Sequence, residues 1–335
     1  MNRCRVARVA GFVVPFASAG ALSPLFAAPA TMRQPSALHR ATHDATTHLY
    51  EARGSNIVAY PLNGDGLPSA TPDWQLTGGL EGGSWLGIDG AGYIYVSDGN
   101  LDQVRVYAPG ASGAAPPVAV IPVPGSSCAI AVNRAGYVFL TLDEGGGFCF
   151  PSIAVYAPVV VGAPNAWLPE PIHTIAPDTG AAIEDMVVDG SGRLYIAAGT
   201  HVFVYDDPVD AWQSPSRVLH NQPTEDSIMA PIAVERETQN LYFSTFINSV
   251  EGTPWGAADF GMRSLANTVP DVLTETRRCD SASYGAGLEY SLAVDRRYLM
   301  FTCQSPHYLM VYHNRSGRQH LVETLPAGAG LLLWP

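Results

Sequence analysis

The sequence predicts an all-β protein: a six-bladed β-propeller of four-stranded antiparallel blades around a central channel, with seven blades as the alternative. Three observations predict it. A tyrosine-ended apolar strand recurs as NIVAYPL (56–62), QVRVYAP (103–109), SIAVYAP (152–158), HVFVYDD (201–207) and YLMVYHN (308–314). An earlier strand centred on Tyr50, Tyr95, Phe139, Tyr195 or Met300 precedes each of these, and a further copy surrounds Tyr242. Along this second series the steps are 45, 44, 56, 47 and 58 residues, which is blade spacing. Finally, 33 glycines and 27 prolines with only 14% charged residues suit many short strands joined by turns.

The chain begins with what reads as a secretory signal over residues 1–30. Arg3, Arg5 and Arg8 are followed by an apolar run from Val9 to Phe26, and Ala28-Pro29-Ala30 gives an A-x-A cleavage pattern, with a cut after Ala19 as the alternative. No later segment is long and apolar enough to span a membrane. The expected location is therefore secreted or periplasmic. Residues 31–335 form one domain, its blades falling near 36–80, 81–124, 125–180, 181–226, 227–283 and 284–335.

Blade 1 takes an unusually polar inner strand around LHRATHD, then HLYEA, NIVAYPL and DWQLTG. Blade 2 is the most regular: SWLGID, the turn Gly90-Ala91-Gly92, YIYVSD, QVRVYAP and VAVIPV. Blade 3 repeats it with CAIAVN, YVFLTL, SIAVYAP and PIHTIA, and blade 4 with EDMVVD, RLYIAA, HVFVYDD and SRVLH. Glycines in these turns supply the positive φ of a tight hairpin. Blade 5 has PIAVER and NLYFST, but 247–278 reads as an insertion that hides its third strand. Blade 6 has YSLAVD, YLMFTC, YLMVYHN and HLVETL. The apolar tail LLLWP (331–335) is placed to complete a sheet where the first and last blades meet, since an open array would leave exposed strand edges.

Four cysteines remain after the signal, an even number in an exported chain. Cys128 starts the first strand of blade 3 and Cys149 ends the loop after its second strand. Cys279 and Cys303 hold nearly the same two places in the last blade. The expected disulfides are Cys128–Cys149 and Cys279–Cys303, with buried free thiols as the alternative.

Thirty acidic residues face 18 basic ones, all arginine, and loss of three arginines with the signal takes the formal charge from −12 to −15. With no basic patch, nucleic acid is excluded as a partner. A monomer with no stable membrane insertion is expected.

The stretches EDMVVDGSGRLYIAAGTHVFVYD (184–206), WLGIDGAGYIYVSDGNLDQVRVYAP (85–109) and AIAVNRAGYVFLTLD (129–143) resemble NHL-type and SMP-30/gluconolactonase-type propeller repeats. SNIVAYPLNGDGLPSA (55–70) resembles a blade of seven-bladed lactonase-like propellers. The resemblance implies fold first, because its motifs are strand–turn–strand patterns. It also implies where a lactonase metal site would lie, at Glu, Asn and Asp residues just before inner strands. Here the motif Glu184-Asp185-Met186 matches the last of these, with Glu184, or Asp185 after a one-residue shift, at the Asp position. Cys128 stands at the Asn position and Leu38 at the Glu position. Glu81-Gly-Gly-Ser-Trp85 is similar to a Glu-Gly-Pro-x-Trp motif but lies one blade late.

One face gathers residues that begin inner strands or follow second strands: His39, Glu81, Trp85, Asp98, Asn100, Asp143, Glu144, Glu184, Asp185, His201, Glu289, Tyr290 and His307. Of these, Trp85, Asp98, Asn100, Tyr290 and His307 are the candidate ligand-binding residues. Glu184, Asp185 and Glu289 are the candidate catalytic residues, and Glu184 with Glu289 the candidate metal pair across the channel. Excess oxygen donors favour Ca²⁺ or another divalent cation over zinc; a solvated acidic rim is the alternative. His39, His43 and His48 lack zinc spacing, no serine sits in a G-x-S-x-G elbow, and Gly145-Gly146-Gly147 lacks the residues of a phosphate loop. The function expected is an exported NHL-like scaffold binding a small molecule, glycan or protein on its top face. The alternative is a divalent-cation-dependent lactonase or hydrolase at the channel.

Overall fold

Among the described residues the apolar runs form strands, and small, positive-φ turns between them close hairpins. The computed structural model describes residues 48–123, 129–141, 152–159, 170–177, 182–220, 227–235, 240–247, 257–264, 292–294, 298–304, 307–313, 321–326 and 329–334. The chain divides into two units, Met1–His43 and Asp44–Pro335, and every described residue belongs to the second. Among the described residues the elements are all strands, and no helix is long and apolar enough to cross a membrane.

Taken in chain order, the first sheet begins with β1 (His48–Ala52), β2 (Ile57–Pro61) and β3 (Trp74–Leu76). The second is β4 (Gly83–Ile88), β5 (Ile94–Asp98), β6 (Gln103–Tyr107) and β7 (Ala119–Pro122). The third is β8 (Ile130–Val132), β9 (Val138–Thr141), β10 (Ile153–Tyr156) and β11 (His173–Ile175). The fourth is β12 (Ile183–Val188), β13 (Leu194–Ala198), β14 (His201–Tyr205) and β15 (Arg217–His220). The fifth is β16 (Ser227–Val234), β17 (Asn240–Ile247) and β18 (Ala257–Ser264). The sixth is β19 (Leu292–Val294), β20 (Tyr298–Gln304), β21 (His307–His313) and β22 (Leu321–Pro326), after which comes β23 (Ala329–Trp334). Strands are antiparallel to their neighbours within every sheet. Six sheets among the described residues are consistent with the six-blade expectation. β18 supplies the third strand of blade 5 from within the stretch expected to be an insertion.

The polar segment expected as the inner strand of blade 1, around residues 38–44, lies outside the described residues. The place beside β1 is taken by β23, which makes the sheet order β23-β1-β2-β3. The tail thus belongs with the first sheet, and the consecutive blade division does not extend to 329–334. With β23 in place, first strands touch in a cycle: β4 meets β8, β8 meets β12, β12 meets β16, β16 meets β19, β19 meets β23, and β23 meets β4.

Both faces of most sheets are covered, so their strands read as almost continuous apolar runs instead of alternating ones. Separate cores fill successive seams. Leu76, Leu86, Val96 and Tyr107 sit with Ala52 and Ile57 between the first two sheets. Tyr95, Val106 and Ile121 meet Val138, Leu140 and Tyr156 between the second and third. Phe139 and Ile153 meet Met186, Ile196 and Tyr205 in the next seam. Tyr195 and Val204 then meet Ile232 and Phe243, and Leu49 and Tyr60 meet Ala293 and Met300. The recurring tyrosines Tyr60, Tyr107, Tyr156 and Tyr205 are all buried, which makes them scaffold.

Candidate functional site

The hairpins at the lower end, where each first strand turns into the second, show what the repeat is for. Asp89 ends β4, and its Oδ1 accepts the N–H groups of Ala91 and Tyr93 at 2.9 Å each. Asp189 does the same after β12, for Ser191 and Arg193, and Asn133 for Ala135 and Tyr137 after β8. Gly92, Gly136 and Gly192 close these turns at φ of 88°, 90° and 93°, where a side chain would be strained. The second carboxylate oxygen takes a buried tyrosine hydroxyl: Tyr95 donates to Asp89 at 3.2 Å and Tyr195 to Asp189 at 3.1 Å. In the third sheet phenylalanine, Phe139, replaces that tyrosine, and asparagine replaces the aspartate. Burial works to raise the Asp189 carboxyl. The Ser191 hydroxyl and the Arg193 backbone and guanidinium, the latter at 2.7 Å, outweigh it and bring the group below its ordinary value. These polar residues are structural and were not among the sequence candidates; the repeated Asp/Asn-x-x-Gly spacing was the signal for them.

The upper end, where first strands begin and second strands finish, carries the predicted site. Trp85 lies on β4, partly buried against the seam with the third sheet. Asp98 is buried, 1% exposed. Its Oδ2 accepts Glu81 N–H at 2.9 Å, with Arg105 Nε 3.9 Å away, so it anchors the 77–83 crossover from below. Asn100 is exposed and donates to the Glu81 carbonyl at 2.9 Å. Gly82 lies close beneath it: a Cβ there would come within 2.7 Å of the Asn100 amide carbon, so the Asn100 side chain would have to shift. Ser97 Oγ and Asp98 Oδ1 are buried without a hydrogen-bond partner, although the equivalent hydroxyl of Thr141 bonds the Ala129 backbone. In the first sheet, fully buried Glu51 pairs with Arg53 at 2.8 Å and accepts the Tyr60 hydroxyl. Arg53 also donates to Tyr60.

Glu184 and Asp185 do not simply alternate along β12. The register shifts between Ile183 and Asp185, so Glu184 is the extra residue of a bulge, which re-aims its side chain. β4 shifts at the equivalent place, between Gly83 and Trp85. Glu184 is partly buried, and that burial raises its carboxyl above the ordinary range. Asp185 is deeper. Its Oδ1 accepts Met186 N–H and its Oδ2 accepts Ile232 N–H, both at 2.8 Å. The second bond reaches from the fourth sheet to the fifth. Burial pushes Asp185 up to about 7 against the lowering effect of those two bonds. Sequence reasoning could not supply Ile232, which lies 47 residues away.

His201 starts β14, and Glu81 lies exposed on the crossover. His307 starts β21 and Cys303 lies in β20, but their side chains are outside the described set. Glu289, Tyr290, His39, Asp143, Glu144, Cys128, Cys149 and Cys279 also lie outside the described residues, and with them the expected disulfides and the second metal ligand. Among the described residues, no three His, Cys, Asp or Glu side chains gather as a metal-holding group.

No family model matches the chain, and no curated protein matches it in sequence. Solved structures do share its fold. A chain from a nidogen–laminin complex aligns with a TM-score of 0.57 at 12% identity, over 86% of this chain and 98% of that one. A periplasmic gluconolactonase of Pseudomonas aeruginosa aligns with a TM-score of 0.55 at 14% identity, over 86% and 98%. A Bacteroides fragilis protein provisionally named as a 6-phosphogluconolactonase aligns at 0.57 and 10% identity, over 88% and 85%. At such identities the likeness establishes the β-propeller fold alone.

Proposed function

We propose that residues 31–335 are an exported propeller whose upper face binds a small molecule, glycan or protein without transforming it. The observation that carries this reading is the commitment of Asp185. In the motif that resembles a lactonase metal position, both of its carboxylate oxygens are taken by backbone N–H groups of two neighbouring sheets. A carboxylate held this way ties the fourth sheet to the fifth, a structural role. Among the described residues, Trp85, Glu81, Asn100, Glu184 and His201 are the partly or fully exposed groups of this face. A chain of the nidogen–laminin complex is one example of this fold within a binding assembly.

One observation favours a second reading, a divalent-cation-dependent lactonase. Glu184 is bulged and its carboxyl is raised by burial, and gluconolactonases share the fold. Glu184 and Glu289 would hold Ca²⁺ or a similar ion there. Two measurements separate the readings. The binding reading expects no lactone hydrolysis above background, with or without Ca²⁺, and a thermal shift on addition of a bound oligosaccharide or protein. EDTA-sensitive hydrolysis that Glu184→Gln abolishes would establish the lactonase instead.

A further inference from the structure

Tyr50 stands in β1 where Tyr95 and Tyr195 stand in β5 and β13, yet its surroundings differ. Those two tyrosines are 1% and 0% exposed and spend their hydroxyls on Asp89 and Asp189. Beside β1 the neighbouring strand is β23, and the register puts Trp334 opposite His48, at the place an aspartate holds elsewhere. Among the described residues no carboxylate accepts a hydrogen bond from Tyr50, and its ring remains partly exposed. Its ring meets Trp74 edge-to-face, with centroids 5.6 Å apart and planes at 71°. His48 tilts at 53° to the same ring, with centroids 6.0 Å apart. Two rings near a right angle form a walled corner. By contrast, His173 and Trp212 stack flat at 15° and leave none.

A carboxylate stands at this corner. Asp73 is half exposed and reaches His48 Nε2 only at 3.4 Å. Such a surface contact is weak, so a ligand can compete for Asp73. The negative charge also acts on Tyr50, whose hydroxyl is raised first by burial and then by Asp73. Electron-rich ring faces at an angle, with an anion beside them, attract an organic cation that lacks strong hydration.

We infer that Tyr50, Trp74 and Asp73, with His48 on the flank, form an aromatic corner that binds a quaternary or methylated ammonium group. The site lies at the end of the first sheet opposite the crossover 77–83, and it is independent of the upper-face reading.

The test is calorimetric titration of the full chain with choline and with 3,3-dimethyl-1-butanol, the uncharged carbon isostere of choline. Choline should bind at least about tenfold more tightly than the isostere. Asp73→Asn, at an exposed position, should lower choline affinity about tenfold with unchanged circular dichroism, and Trp74→Leu should abolish binding. Co-sedimentation with phosphatidylcholine vesicles distinguishes a lipid headgroup from a free cation as the source. Pelleting that needs Trp74 points to the headgroup; binding of free choline without pelleting points to a soluble cation. Equal affinity for choline and its isostere, no binding of either free choline or vesicles, or an unaffected Asp73→Asn variant would overturn the assignment.

Discussion

Asp89 and Tyr95 in one sheet, and Asn133 and Phe139 in the next, form a substitution experiment within a single chain. A buried carboxylate oxygen needs the tyrosine hydroxyl, and where the hydroxyl is missing the residue is an amide. Tyr95→Phe should therefore cost about 1–2 kcal/mol in urea denaturation, because it strands Asp89 Oδ2. Adding Asp89→Asn should recover part of that loss, and strictly additive effects would refute the coupling. Asp185 gives a pH prediction. Its pKa is raised by burial to about 7, so the folded state holds the proton more tightly than the unfolded one. Its contribution is complete below the ordinary carboxyl value and is lost as pH rises through about 7. Asp189, lowered by its partners, behaves in the opposite sense and weakens the fold as pH falls. Melting temperature followed from pH 4 to 8 should show a smaller upper-range decline in Asp185→Asn, with a remainder from the raised Glu184 carboxyl, and an unchanged one in Asp189→Asn. The turn residues were legible in the sequence because an Asp-x-x-Gly spacing is local. The roles of Asp185 and Asp98 were not, since burial and a bond to Ile232 arise only when sheets meet.

First strands determine how closely the sheets approach one another. Gly87 of β4 faces Val132 of β8, and a Cβ on Gly87 would run into the Val132 side chain. Gly87→Ala should destabilise by about 1–3 kcal/mol through overpacking, with Val132→Ala restoring part of the loss in thermal melts. The bulges at Ser84 and Glu184 belong to this scale too. Recurring apolar runs identified the strands, while the extra residue in a ladder, Ser84 or Glu184, has no signature of its own because the shift appears only in the pairing. The same holds for β18: AADFGMRS has a weak apolar pattern, and only pairing with Asn240–Ile247 identifies it.

Ring closure concerns the molecule as a whole. The apolar tail was readable as a closing element, but the polar stretch before His48 looked like the better neighbour for β1 because consecutive strands usually pair. Leu332→Pro, which removes a ladder N–H from β23, should lower stability by about 3 kcal/mol or more and broaden the thermal transition, whereas Gly64→Ala, at an exposed turn position with open space for a Cβ, should leave both nearly unchanged. The pairing of Ala329–Trp334 with His48–Ala52 also imposes an order in time. The second, third and fourth sheets are built from neighbouring sequence and can assemble as the chain lengthens. The first must wait until residue 334 has been made. Through all of that synthesis β1 keeps one bare hydrogen-bonding edge, open to any other extended chain it meets. A factor that shields this edge during production should therefore raise the yield of folded protein more than one acting on any other strand.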